Sequence, residues 1–125
     1  MNMKVIDSNS DSSQSLTKNK IIPLQVAKSK LLKAFLEFAV LKEIDSIRVA
    51  SVPFITEVLV KKHLVYISAG TIYPVFERLE KIGYIEKLPN RATRMFAITV
   101  KGKKTLENIR INSDELKSYL CELIS

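Results

Sequence analysis

The sequence predicts a mainly α-helical fold with one small antiparallel β-hairpin, flanked by long terminal helices. Three observations carry that expectation. Ile72, Phe76, Leu79 and Ile82 recur at helical spacing, leaving Thr71, Tyr73, Arg78 and Lys81 on other faces. Two β-rich runs follow at once, residues 84–88 and 93–100, separated by a turn with Pro89 and Asn90. On either side lie a long helix over 23–44, apolar nearly all round between Leu31 and Leu41, and apolar residues at three- and four-residue steps over 106–123.

At the N-terminus, residues 7–15 hold almost nothing apolar, so residues 1–20 are expected to be a disordered polar tail and 21–125 a single domain. A tail of this kind is also a candidate tether for a partner protein. The first helix should open at Pro23, a good first-turn residue, and run to Glu43 or Ile44. Between Leu31 and Leu41 only Lys33 and Glu37 are polar, one narrow stripe on an apolar cylinder. A helix apolar nearly all round has to be buried on more than one side, and in a chain of 125 residues a second subunit is the natural cover.

Residues 47–51 fit a short strand, and a second helix is expected over 53–62 with Phe54, Val58 and Leu59 facing in. Lys61, Lys62 and His63 close it, where cations suit the helix dipole and phosphate contact is the competing use. The third helix starts beside Ser68, a capping residue type, and Gly70 allows close backbone approach of a partner to the first-turn amides. Pro74 makes that helix begin near Thr71 or bend there, and Gly83 ends it. The hairpin reads as a two-stranded wing with Asn90 and Arg91 at its tip. Beyond it, Leu106, Ile109, Ser113, Leu116, Leu120 and Leu123 step by three and four, the spacing of a coiled-coil seam. Such a seam fits a dimer interface or a fold-back onto the first helix of the same chain. Asn112, Ser113 and Asp114 favour a break within it.

Ser68, Gly70, Thr71, Tyr73, Pro74, Arg78, Leu79, Glu80, Gly83, Tyr84 and Ile85, with Thr99, Lys101 and Gly102 beyond the wing, resemble the PadR-like winged-helix regulators. The resemblance spans roughly residues 31–107. It includes small archaeal regulators and the PadR-like centromere-binding adaptors of archaeal plasmids. It implies a winged helix-turn-helix with terminal dimerisation helices, acting as a homodimer on double-stranded DNA as a transcription regulator or, alternatively, as a plasmid segregation adaptor that spreads on DNA and binds a partner protein. Residues 50–55 depart from the His-Gly-Tyr-like turn with which the family usually opens its second helix.

On this reading the recognition helix offers Ser68, Ala69, Gly70, Thr71, Tyr73, Pro74 and Arg78, and the wing Lys87, Asn90, Arg91, Thr93 and Arg94. The dimer interface is expected at Leu24, Leu31, Phe35, Phe38, Leu106, Ile109, Leu116, Leu120 and Leu123. Two such helices would enter successive major grooves about 34 Å apart, which implies a near-palindromic site. Tyr73 fits either base contact or ring packing against its own domain.

Composition narrows the alternatives. A net charge of +7 favours an anionic partner, and from Lys87 to Leu106 the cations Lys87, Arg91, Arg94, Lys101, Lys103 and Lys104 meet no acid. No segment approaches the roughly 18 to 20 apolar residues that cross a bilayer, and no secretory leader is visible, so a cytoplasmic, DNA-associated location is expected. Cys121 is the single cysteine and His63 the single histidine, which excludes an intramolecular disulfide and predicts no metal site. No acid–base or nucleophile grouping and no glycine-rich phosphate loop can be read, so neither an enzyme nor a cofactor is expected.

Overall fold

A computed structural model describes residues 12–89 and 92–125, with side chains from residue 23 onward. The elements in order are α1 (Ser12–Ala34), α2 (Leu36–Ile47), β1 (Val49–Ala50), α3 (Val52–His63), α4 (Ala69–Lys81), β2 (Ile85–Lys87), β3 (Phe96–Ile98), α5 (Val100–Ile111) and α6 (Ser113–Ile124). Contacts divide the chain into two units between Phe35 and Leu36.

The first unit departs from expectation in two ways. Helix α1 begins at Ser12, inside the stretch expected to be a disordered tail, and carries Pro23 in its interior rather than at its start. Residues 12–22 hold neither Gly nor Pro, so nothing in them breaks a helix; residues 1–11 lie outside the described ones. The long first helix is also interrupted at Phe35, although the Phe35 N–H still donates to the Leu31 carbonyl at 3.0 Å. No Gly or Pro marks the break. Burial divides at the same place: Leu24, Val26, Leu31 and Phe35 are exposed, whereas Leu36, Val40, Leu41 and Ile44 are buried.

In the second unit the core gathers Leu36, Val40, Leu41 and Ile44 of α2, Val52, Ile55 and Leu59 of α3, Ile72, Val75, Phe76 and Leu79 of α4, and Leu106 of α5. Phe54, expected inside, is exposed. Ser51 caps α3, its hydroxyl accepting from the Phe54 N–H at 3.3 Å, and the inward stripe from Val52 then falls on 52, 55 and 59. On α4 the stripe is Ile72, Val75, Phe76 and Leu79; Ile82, also expected inside, is the C-cap and is partly exposed. Phe76 meets Phe96 of β3 with ring centroids 5.3 Å apart and planes tilted by 57°, an aromatic contact that adds about 0.5–1.5 kcal/mol beyond the area buried.

The wing strands are shorter than the sequence suggested and form part of a three-stranded antiparallel sheet ordered β1-β3-β2. Ile85 pairs with Ile98 and Lys87 with Phe96, while Val49 pairs with Ala97 on the other edge of β3. The expected short strand at 47–51 is thus β1. At the C-terminal end, Asn112 separates α5 from α6 as its residue type suggested, with its amide nitrogen donating to the Asn108 carbonyl at 2.8 Å. Leu106, expected at a dimer seam, is 4% exposed and sits in the unit's own core.

Candidate nucleic-acid interface

Helix α4 and the wing are joined by a rigid corner. Gly83, at φ +87°, takes the left-handed conformation that ends the helix, its N–H donating to the Glu80 carbonyl at 3.0 Å. The Tyr84 N–H reaches back to the Leu79 carbonyl at 2.9 Å, completing a Schellman closure. The start of α5 locks this corner from behind. Thr99 Oγ1 donates to the Gly83 carbonyl at 2.6 Å and accepts the Gly102 N–H at 3.0 Å. Lys101 Nζ donates to the Ile82 carbonyl at 2.7 Å and lies 5.7 Å from the centroid of the Tyr84 ring. Gly102 is the contact point: a Cβ there would stand 2.2 Å from the Tyr84 carbonyl oxygen. In the sequence, Thr99, Lys101 and Gly102 belong to a family resemblance, and Lys101 also to a basic cluster. The structure gives them one task, holding helix and wing in register.

At the other end of α4, Ser68 is the N-cap residue by backbone conformation, yet its hydroxyl makes no cap hydrogen bond and instead pairs with Thr71 Oγ1 at 3.0 Å. The capping expectation therefore holds for position and not for the side chain. With Ser68 turned aside, the Ala69 and Gly70 N–H groups open the helix where geometry provides no intrahelical acceptor. A Cβ at Gly70 would meet only Ser68 Oγ at 3.9 Å, so no internal contact requires glycine there. Helix α4 continues through Pro74, whose missing N–H leaves the Gly70 carbonyl without its usual donor.

Ala69, Gly70, Tyr73, Pro74 and Arg78 are exposed along one side of α4, and Thr71 is half-buried. Tyr73 is 41% exposed, and its hydroxyl bonds to none of the described residues. Its ring borders an open apolar groove of about 440 Å³ together with Val52, Pro53, Val60 and Tyr66. Arg78, expected to reach toward a DNA backbone, is held by the Glu37 carboxylate from α2.

The wing carries Lys87, Thr93 and Arg94 in exposed positions, and the Leu88 N–H extends the pairing to the Met95 carbonyl at 2.8 Å. Arg94 Cζ lies 5.9 Å from the Phe96 ring centroid, which draws this cation over the strand. Asn90 and Arg91, placed at the tip from sequence, lie outside the described residues. Lys101, counted among the basic cluster, is committed to the corner. The cations closing α3 are also paired: Lys61 with Glu57 at 3.0 Å, and Lys62 with the buried Glu43 at 2.6 Å. Phosphate contact is therefore the less apt use for them. Among the described residues no grouping of His, Cys, Asp and Glu could hold a metal ion, and no helix is long and apolar enough to cross a membrane.

Two helices packed on α2, the second running into a braced β-hairpin, define a winged helix-turn-helix domain. Residues 55–108 match the model of the family described as transcriptional regulator PadR-like, a span that holds most of α3, all of α4, the wing and α5 up to Asn108. Over that span the chain is similar to the PadR-like family. Similar solved structures have the same fold. A padr family transcriptional regulator from Eggerthella lenta is 21% identical with a TM-score of 0.66, covering 88% of this chain and 97% of that one. A PadR-like transcriptional regulator from Bacillus cereus is 24% identical with a TM-score of 0.65, over 78% and 98%. A transcriptional regulator from Clostridium thermocellum is 23% identical with a TM-score of 0.63, over 78% and 97%. No curated protein matches.

Proposed function

We propose that the chain is a sequence-specific DNA-binding protein that acts as a homodimeric transcription regulator, reading the major groove with the N-terminal half of α4 and gripping the backbone with the wing. The braced corner between α4 and β2 carries this reading. It fixes an exposed helix face and a basic hairpin in one orientation, which a two-point contact with a duplex requires. On this reading Ser68, Thr71 and Tyr73 meet base edges or adjacent phosphates, and Ala69 and Gly70 offer backbone donors to a phosphate. Lys87, Asn90, Arg91, Thr93 and Arg94 supply the wing contacts.

The homodimer is supported by α6, which buries none of its residues while presenting Leu116, Tyr119, Leu123 and Ile124. Leu24 and Leu31 of α1, and Phe35 at the break after it, are likewise exposed. Leu120, Ile109 and Phe38 are half-buried and stay in the proposed interface; Leu106 leaves it. Twofold symmetry then gives a near-palindromic site with half-sites about one helical turn apart.

DNase footprinting around the protein's own gene tests the proposal. A short symmetric footprint that stops growing at saturation is the expected result. Protection that spreads outward from one site would replace regulation by DNA segregation, and no protection of any duplex would sink the DNA reading.

A further inference from the structure

Arg78 lies on the exposed side of α4, and its Nε–H donates to Oε2 of Glu37 in the first turn of α2. The side chains are 53% and 32% exposed, and among the described residues Arg78 has no other partner. A guanidinium presents five N–H donors in a fixed plane. A carboxylate on the Nε edge leaves terminal Nη donors available, and it removes much of the rotational freedom of a long side chain. The same anion, judged as a bare charge, repels phosphate. The two effects have opposite signs, so one substitution separates them.

We propose that Glu37 is a positioning residue for DNA binding: it holds Arg78 by the Nε edge so that the Nη groups face a phosphate beside α4. This rests on the DNA-binding reading above. Ordering one rotamer-rich side chain in advance is expected to be worth about two- to tenfold in affinity. As a pair this exposed, Glu37 and Arg78 contribute little to folding, so the variants should remain folded.

The test is fluorescence anisotropy on a mixed-sequence duplex across a salt series, with wild type, Glu37→Ala, Glu37→Gln, Arg78→Ala and the double variant Glu37→Ala/Arg78→Ala. Thermal melts run in parallel to verify folding. Arg78→Ala should lower the log–log salt slope by about 0.9, the loss of one phosphate contact. Glu37→Ala should weaken binding about two- to tenfold and lower the slope in the same direction, although it removes a negative charge. Glu37→Gln should recover part of the loss, because its amide oxygen still accepts from Nε. The double variant should bind no more weakly than Arg78→Ala. Equal or tighter binding by Glu37→Ala, additive losses, or an unchanged slope for Arg78→Ala would each overturn the inference while leaving DNA binding intact. A wild type that binds no duplex would overturn the DNA reading and this inference with it.

Discussion

Gly102→Ala should damage this domain well beyond what one methyl group suggests. In the interior of a helix Ala is favoured over Gly by up to about 1 kcal/mol, so propensity alone predicts a more stable protein. The new Cβ would stand 2.2 Å from the Tyr84 carbonyl oxygen, 3.0 Å from its carbonyl carbon and 2.8 Å from Ile98 Cγ1. Two of those atoms are backbone and cannot swing away. To restore ordinary contact, α5 must withdraw by about an ångström, which is enough to stretch hydrogen bonds of 2.6 and 2.7 Å past the useful range. The bonds exposed to that shift are Thr99 Oγ1 to the Gly83 carbonyl and Lys101 Nζ to the Ile82 carbonyl. Two weakened hydrogen bonds at about 1 kcal/mol each, plus overpacking strain, give a net loss of about 2–4 kcal/mol after the propensity gain. A domain of this size should then melt roughly 10–20 °C lower, measured by circular dichroism against wild type. A melting temperature within about 2 °C of wild type would refute the brace.

Three further outcomes follow from the same geometry. Gly70→Ala meets open space, so it should stabilise the fold by up to about 1 kcal/mol in denaturant titration while weakening DNA binding, a separation expected only if a partner approaches that backbone. Leu64 ends α3 at φ 56° and is 85% exposed, so Leu64→Gly should raise stability by roughly 0.5–1 kcal/mol in a thermal melt. Leu116→Lys with Leu123→Lys should convert the proposed dimer to a folded monomer, read as a halved mass in light scattering, because neither residue is buried within the chain.

Local pattern made the centre of the chain legible in its sequence. The α4 stripe was readable from its spacing, and Gly83 from its place after the last apolar position; both depend on residues close in sequence. Ile82 shows the limit of that reading, because a helix that ends at Lys81 carries the next residue off the periodic face. Phe54 misled for a related reason: a large apolar residue at a helix start looks like core, while the cap at Ser51 sets which face turns inward. The brace was the least legible feature. Thr99 meets Gly83 across 16 positions and Lys101 meets Ile82 across 19, and no periodicity encodes contacts of that range. The Glu37 to Arg78 pair, 41 positions apart, was hidden in the same way, with Glu37 passing for one half of a wet stripe on α1 and α2. The break at Phe35 has no local signal; only the change in burial from Phe35 to Leu36 marks it.

The central claim is that the N-terminal half of α4 reads DNA sequence while the wing holds the backbone. The direct measurement is the ratio of affinities for the footprinted duplex and a scrambled one, at fixed salt, for wild type and for Thr71→Ala/Tyr73→Ala. The account predicts that the double variant loses most of this ratio, with each lost base contact costing about 1–3 kcal/mol, while its affinity for the scrambled duplex stays near wild type. A ratio equal to that of the wild type would contradict it.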